Sequence, residues 1–492
     1  MNDSPDSPTL RVAVGDPAGR DADVLAAARA AADRTYVLET GPTGAAVGPH
    51  VYATVEGRTA RYGAVTATTV KRIVSACEDD RLLTGEAEAV TEDERPPISD
   101  ESPLSVGTRR VLAGFGWHVP EAVPEPVASD VSENPDEALA TVERIGLRGR
   151  GRADVAADES LTEYWTRARN ANGESVLVVH ANDADPESEA DRLCGVSAPG
   201  RVWDAASAVA SVIGAEDIVA FVPTDDDLLA NRLDAVGEWQ LARSEGSFRV
   251  GEPTMALEAL EGNDRIEARR RPPGPEEWGL YGRPTIVHTP RTLLQLAELW
   301  RDPDAFDAEA ADPGTRLLTV GGDVPESATV ELATDVSLSQ ALDAVETPKG
   351  ARYAVGGRFA GLTRDLDIPA SAPAMTGAAL GTEGAIEVLS TDRCIVATVG
   401  ERAAFAREEN CGRCVPCREG SKQLHESLRE VYDGAFDAGD LQELTRTMRT
   451  TSICAFGQAA ARPVRTALSE FESEFRAHAK GRCPAGACGG MQ

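Results

Sequence analysis

A chain of 492 residues with 81 Asp and Glu against 49 Lys and Arg carries a formal charge of −32, and such a surface repels nucleic acid and anionic membranes alike. The length gives room for several domains, each with a core of ordinary size. No apolar run approaches the length that spans a bilayer, so direct membrane insertion is not expected. The basic residues are almost all Arg, the lysines being Lys71, Lys349, Lys422 and Lys480, a balance that fits a halophile's cytoplasmic protein whose self-repulsion is screened by dense salt.

Residues 1–90 read as a small α/β domain, after an acidic start without an apolar leader segment. Strands are expected at Leu10 to Val14, around Tyr36 to Leu38 and at Val51 to Val55, with helices at Val24 to Ala32 and Val70 to Cys77. The charged, Pro-rich run from Thr91 to Pro103 opens a linker over residues 91–137, continued by a helical bridge at Val106 to Gly114 and Pro135 to Arg144. Residues 138–312 alternate strand and helix. Val176 to Val179 and Ile218 to Val222 are apolar enough for buried parallel strands around a helix from Val202 to Ile213, a Rossmann-like layering. Residues 313–392, with two strands and a short helix between Arg316 and Leu342 and then Tyr353 to Gly357, fit a small β-grasp module. In residues 393–478, Leu424, Leu428 and Val431, then Leu441, Leu444 and Met448, then Val464, Leu468, Phe471 and Phe475 recur at helical spacing and predict a helical bundle. A Cys-containing tail occupies residues 479–492.

The bundle carries the strongest chemical signal. Cys411, Cys414 and Cys417 stand at C-x2-C-x2-C spacing, with a lone Cys454 downstream; three thiolates on a tight loop and a fourth from elsewhere suit the corners of a [4Fe–4S] cubane. Gly412 and Gly420 let the backbone curl, and Pro416 fixes a φ angle. A structural zinc or inert thiols are the alternatives, but zinc sites pair two knuckles or add histidines, and the one nearby imidazole, His425, falls inside the following helix. Cys77, Cys194 and Cys394 are read as packing residues, His180 and His288 as polar loop or core residues, and Cys483 and Cys488 as a flexible tail, an intersubunit ligand set or a zinc clip.

The run Glu409 to Gly420 meets the pattern E-S-C-G-x-C-x-P-C-R-x-G at every position except Asn410. With the Cys454 segment, the loop Ile145 to Gly151 and the order of modules, it resembles the flavin-carrying, NADH-binding subunit of respiratory complex I and its relatives in soluble hydrogenases and formate dehydrogenases, from about Ala138 to His478. Residues Thr9 to Val90 are similar to a thioredoxin-like [2Fe–2S] module, by Tyr62 to Thr66, yet the segment Glu39 to Gly48 holds no Cys. The resemblance implies a multidomain α/β protein: thioredoxin-like N-domain, Rossmann-like FMN-type domain, β-grasp module and helical bundle with an iron–sulfur site. It also implies FMN, held through Gly149, Gly151, Asp185 and Glu252, taking a hydride from NADH and passing single electrons to the cubane.

Four family segments depart together. L-R-G-R-G-G-A-G-F reads Leu147 to Val155 with Arg152 and Asp154 in place of glycines, Asn182 replaces an Asp, Pro253 replaces a Glu, and His288-Thr289 stand where paired asparagines are expected. A cofactor site needs most of the groups that touch its ligand, so FMN and NAD binding are disfavoured. The first reading is an electron-transfer subunit with one [4Fe–4S] cluster, no catalytic residue of its own, and other redox subunits as partners. An active FMN-dependent NADH dehydrogenase and a scaffold with a structural cluster are the alternatives.

Overall fold

The computed structural model describes residues 7–15, 19–45, 48–99, 102–182 and 185–488. Three sheets and a helical end follow one another along the chain. In the first sheet, β1 (Thr9–Ala13), β2 (Tyr36–Thr40), β3 (Val51–Val55), β4 (Arg58–Tyr62) and β5 (Ala89–Thr91) lie in the order β2-β1-β3-β4-β5. β1 and β2 are parallel, joined through the helix Arg20–Ala31, because a parallel pair cannot be closed by a tight turn. β3 and β4 are joined by Glu56-Gly57, both at positive φ (48° and 77°), as a two-residue hairpin turn requires. β4 and β5 were not among the expected strands. β5 pairs with β4 and takes in Thr91, the first residue of the expected linker.

The segment Val106 to Gly114 is a second correction: it forms turns, not helix, with a 3-10 turn just ahead at Pro103–Ser105. Gly107, Gly114 and Gly116 hold φ of 71°, 76° and 79°, and a Cβ on Gly107 would lie 2.2 Å from the Glu331 carbonyl oxygen. The chain there runs as a close strap against the third sheet. Pro135–Ile145 is helical as expected.

The loop after β2, where the similar module would carry cysteines, is a packing surface; Ala46 and Val47 lie outside the described residues. Gly41 sits against Ser197, whose hydroxyl donates to the Pro42 carbonyl (2.8 Å), and Thr329 N–H donates to Gly44 O (2.8 Å). Chain contacts occupy it.

β6 (Ser175–His180), β7 (Ala215–Pro223), β8 (Gln240–Ser244) and β9 (Thr285–His288) form an all-parallel sheet in the order β8-β7-β6-β9. The chain leaves β6 toward β7 and β8 and returns to its other side at β9, so the point where strand order reverses lies between β6 and β9. In such sheets that crevice, at the carboxyl ends of the strands, is the usual ligand position. His180 and His288 end these two strands.

The third sheet, β10 (Thr315–Gly322), β11 (Ala328–Ala333), β12 (Arg352–Val355), β13 (Gly361–Thr363) and β14 (Ala385–Leu389), has the order β11-β10-β14-β12-β13 and is mixed, with β10 and β14 parallel. An ion-pair set ties it to the Gly-rich loop of the second unit. Arg150 donates to Asp312 (2.6 Å) and to the Pro313 carbonyl (2.8 Å), while Arg316 bridges Asp312 (2.9 Å) and Asp158 (2.5 Å), all but Asp158 being buried. Burial alone would raise the Asp312 carboxyl, but the two guanidinium groups more than offset it and hold it below the usual range. Asp312→Ala should therefore cost about 3–5 kcal/mol, because it leaves the buried Arg150 cation without its carboxylate and Arg316 with Asp158 alone, read as a lower urea midpoint in high salt. A group with a depressed folded pKa contributes fully above the ordinary carboxylate range and loses that contribution as pH falls through the folded value; the wild-type advantage over the variant should fade in acid.

The helices Ile395–Glu409, Val415–Glu430, Ala438–Thr451, Ala455–Ala459 and Arg462–His478 close the chain. Their core is the expected set, Leu424, Leu428, Val431, Leu441, Met448, Val464, Leu468, Phe471 and Phe475, all buried, with Leu444 packed at its edge. No helix among the described residues is long and apolar enough to cross a membrane.

Candidate functional site

Two helix ends and the loop between them present Cys411, Cys414 and Cys417. Asn410 ends the helix Ile395–Glu409 and stitches the turn: its Nδ2 donates to Ala406 O (3.0 Å) and Arg407 O (2.8 Å), and its Oδ1 accepts from Gly412 N–H (3.0 Å). Thus the one position that departs from the family pattern has a structural use. Gly412 turns at φ 78°, a conformation that disfavours any Cβ, and the Arg418 guanidinium donates to its carbonyl (3.0 Å). Cys414 then caps Val415–Glu430, with Pro416 in the first turn where its missing N–H costs nothing. A Cβ on Gly420 would lie 2.6 Å from Met448, so that glycine lets the next helix approach closely.

Cys454 opens the short helix Ala455–Ala459. The same segment packs on Cys417: a Cβ on Gly457, three residues on, would meet the Cys417 Cβ at 3.0 Å. Burial, then the nearby Glu252 charge, pushes the Cys454 thiol up to about 12. Cys417 is pushed up by burial and by its neighbours Cys454, Cys414 and Cys411. Cys417 and Cys454 are 5% and 9% exposed, whereas Cys411 and Cys414 are half-buried and Val415 beside them is 60% exposed. Four thiols thus converge with one open edge, and no His joins them; His425 lies on the flank of its helix. The donor set is all sulfur, which fits an iron–sulfur cubane and not an oxygen-loving cation.

A second group was read only in part from the sequence, which offered Cys483 and Cys488 as a zinc clip among other roles but neither Cys394 nor His478. The ligand atoms of Cys394, His478, Cys483 and Cys488 all lie within 4.8 Å of one another. His478 Nδ1 bonds to the Glu474 carbonyl (2.7 Å), which fixes the proton there and leaves the Nε2 lone pair facing Cys394 Sγ (3.2 Å) and Cys488 Sγ (3.7 Å). Such a second bond is what orients a metal-binding imidazole. Cys394 is buried in the core, as a packing residue would be, and also stands in this group, while the described part of the tail is folded back on the bundle. The separations are those of donors around one ion: a Zn–S bond of about 2.3 Å in a tetrahedron puts sulfurs about 3.8 Å apart. A cubane, with an iron at each corner, spreads its ligands wider. The available sequence signal was the even spacing of His478, Cys483 and Cys488, while Cys394 stands far upstream.

A family model for the NADH-ubiquinone oxidoreductase-F iron–sulfur binding region matches residues 397–478. That stretch holds Cys411, Cys414, Cys417 and Cys454. The chain is similar to F-type subunits over about three quarters of its length. It is 26% identical over 400 residues to the NADP-reducing hydrogenase subunit HndC of Solidesulfovibrio fructosivorans, covering 74% of this chain and 80% of that one. It is 28% identical over 387 residues to the F 2 subunit of the NADH-quinone oxidoreductase of Rhizobium meliloti, covering 71% and 90%. Among solved structures, an NAD+-reducing [NiFe]-hydrogenase in its H2-reduced state matches with a TM-score of 0.67 at 22% identity, over 96% of this chain and 84% of that chain, a likeness of fold.

In this chain, each residue expected to hold FMN already has a protein partner. Gly149 is pinned in a self-closing loop, its N–H on Glu159 O (3.2 Å) and its carbonyl accepting from Asp158 (3.0 Å). Gly151 lies against the Arg291 guanidinium, which is buried in an ion pair with Asp191 (2.5 Å). Asp185 accepts from the backbone of Arg358 (3.2 Å) and Glu187 (3.1 Å). Glu252 caps Pro253–Leu260 by accepting from Met255 N–H (2.9 Å). His180 is buried and neutral, held at about 4 by burial, with its Nε2–H on Val250 O (2.7 Å) and its Nδ1 accepting from Asn182 N–H.

Proposed function

We propose that this chain is an iron–sulfur electron-transfer subunit of an NADH dehydrogenase-like assembly, with one [4Fe–4S] cluster on Cys411, Cys414, Cys417 and Cys454. The convergence of these four thiols within an F-type iron–sulfur region carries the reading. When bound, a cubane supplies a store for one electron at a time. The chain's own residues set its surroundings: Gly412 and Asn410 shape the loop, and Phe456 and Cys417 keep water from its inner side. The cations of Arg413 and Arg418, at the outer side, favour the reduced, more negative state and should raise the potential. The exposed edge at Val415 is the natural face for a redox partner, and thiols kept free for metals suit a reducing cytoplasm.

Iron and acid-labile sulfide of the anaerobically purified protein test this: about four of each per chain are expected beyond any tail metal. A chain that refolds and reconstitutes without taking up sulfide would refute it.

Cys394, His478, Cys483 and Cys488 are proposed to hold one zinc-type ion, carried by the Cys3His donor set and its single-ion spacing. This centre is structural, because a closed four-ligand shell leaves no position for chemistry. It would pin the tail to the bundle.

The acidic surface makes a third expectation. Melting temperature should rise steeply with KCl, since a charge of −32 repels itself at low ionic strength, and a protein equally stable in dilute buffer would contradict the halophilic reading.

A further inference from the structure

The space where the family's flavin would lie, between the Gly-rich loop and the Cys454 segment, is filled by the chain. A cavity of only about 40 Å³ remains there, among Arg152, Asp185, Phe248, Glu252, Phe359 and Phe456, against about 300–1,000 Å³ for sites that take a ligand of cofactor size. One of the residues that depart from the family pattern, Arg152, takes part in the filling. Arg152, in place of a glycine, lays its guanidinium 3.6 Å from the centre of the Phe248 ring and donates to the Phe248 carbonyl (2.6 Å). Phe248 in turn packs edge-on against Phe359 (5.2 Å), Phe405 (5.1 Å) and Phe456 (5.8 Å), and the last of these stands two residues from Cys454.

The loop that aims Arg152 is locked from below. Asp154, the other glycine replacement, is buried and accepts from His288 Nδ1 (3.0 Å), whose Nε2 accepts from the Trp165 indole N–H (2.8 Å). Val155 N–H donates to Val287 O (2.9 Å), which lays the loop along the end of β9. Asp154, His288 and Trp165 form one satisfied buried chain at the crevice between β6 and β9. Departures that look unrelated along the sequence are parts of one rebuilt packing.

A cavity of about 610 Å³ beyond the ends of β6 and β7 offers no replacement site for a dinucleotide. Asp185, Glu189, Asp191, Asp225, Asp226 and Asp227 line it, and its Arg192 is spent on Asp226 (2.5 Å). That field repels a diphosphate.

We infer that Arg152 and the phenylalanine cluster around Phe248 are a built-in plug of the flavin position, so that electrons reach the cluster one at a time from a protein partner and not from a hydride donor bound to this chain. The inference concerns the same cluster as the proposed function, and its readout is separate: flavin content and FMN fluorescence test the plug, sulfide content tests the cluster.

The full chain, cluster-loaded in high salt, is unfolded and its released flavin measured, and the folded protein is titrated with FMN. No released flavin and no quenching are expected. Arg152→Gly and Phe248→Ala, each checked for unchanged sulfide content and circular dichroism, should quench added FMN with at least about tenfold tighter binding, and Arg152→Lys should stay closed. Stoichiometric flavin in the wild type would overturn the plug. So would opened variants that fold, keep their sulfide and bind FMN no better than wild type.

Discussion

Cys454→Ala should strip the protein of its cubane: acid-labile sulfide falls to near zero while the three sheets remain folded. Cys454 is the proposed ligand supplied from outside the tight loop; it is a buried thiol beside the loop cysteines, and its charged neighbour Glu252 offers a carboxylate and not a thiol. The three loop thiols cannot close the fourth corner, and two of them lie at a half-exposed edge where an incomplete cluster meets solvent. The cavity left by one sulfur costs about 1 kcal/mol by itself, so a larger loss of stability reports the missing metal. Cys77→Ala is the control, because Cys77 sits in the core of the first sheet and its removal should leave sulfide unchanged. Visible absorbance and sulfide assay check both. Full sulfide in the Cys454 variant would refute the ligand assignment.

The second large effect is at the tail. His478→Ala, or Cys483→Ser with Cys488→Ser, should lose one equivalent of zinc by elemental analysis and leave the sulfide content intact. Metal that binds the folded chain alone stabilises it by about 4 kcal/mol when free zinc exceeds the dissociation constant about a thousandfold. The bundle has its own apolar core through Phe471 and Phe475, so chelation should lower the melting temperature without unfolding the domain, unlike a zinc finger. Cys483, though burial opposes it, is drawn down to about 6 by the N–H groups and side chains of Cys488 and its neighbours, whereas burial pushes Cys394 up to about 12. Metal loading should therefore release protons, and calorimetry in two buffers of different ionisation heat would detect them.

How much of this was legible depends on the range of each interaction. Helical periodicity is local, and the buried stripe from Leu424 to Phe475 follows it closely. The strands Val51–Val55 and Ser175–His180 announced themselves by apolar content. β4 did not, because Arg58-Thr-Ala-Arg-Tyr is polar on paper; Arg61 is nonetheless buried, its guanidinium on Ser102 (2.7 Å) and Glu88 (3.1 Å). Val106 to Gly114 has apolar residues at helical intervals, but its glycines are taken by close approach to Glu331 and by positive φ, and those demands outweigh periodicity. The cubane thiols could be read because three of four are contiguous. Cys394 could not, since what makes it a candidate ligand is the end of a helix 84 residues on.

The flavin loop is the instructive middle case. Along the sequence, Arg152, Asp154 and His288 stand as separate losses. Their contacts draw them together: Asp154 and His288 are hydrogen-bond partners, and Arg152 on the same loop as Asp154 stacks on Phe248. Buried polar groups are stable only when all are paired, and Asp154 without His288 would be a buried, poorly paired carboxylate. On the plug reading, closure of the cofactor position and growth of a core are the same event.

The visible spectrum of the anaerobically purified chain in high salt, recorded before and after NADH and then after dithionite, tests the central claim most directly. A broad iron–sulfur absorption that NADH leaves unchanged and dithionite bleaches is the predicted result. A flavin band that NADH bleaches would contradict it.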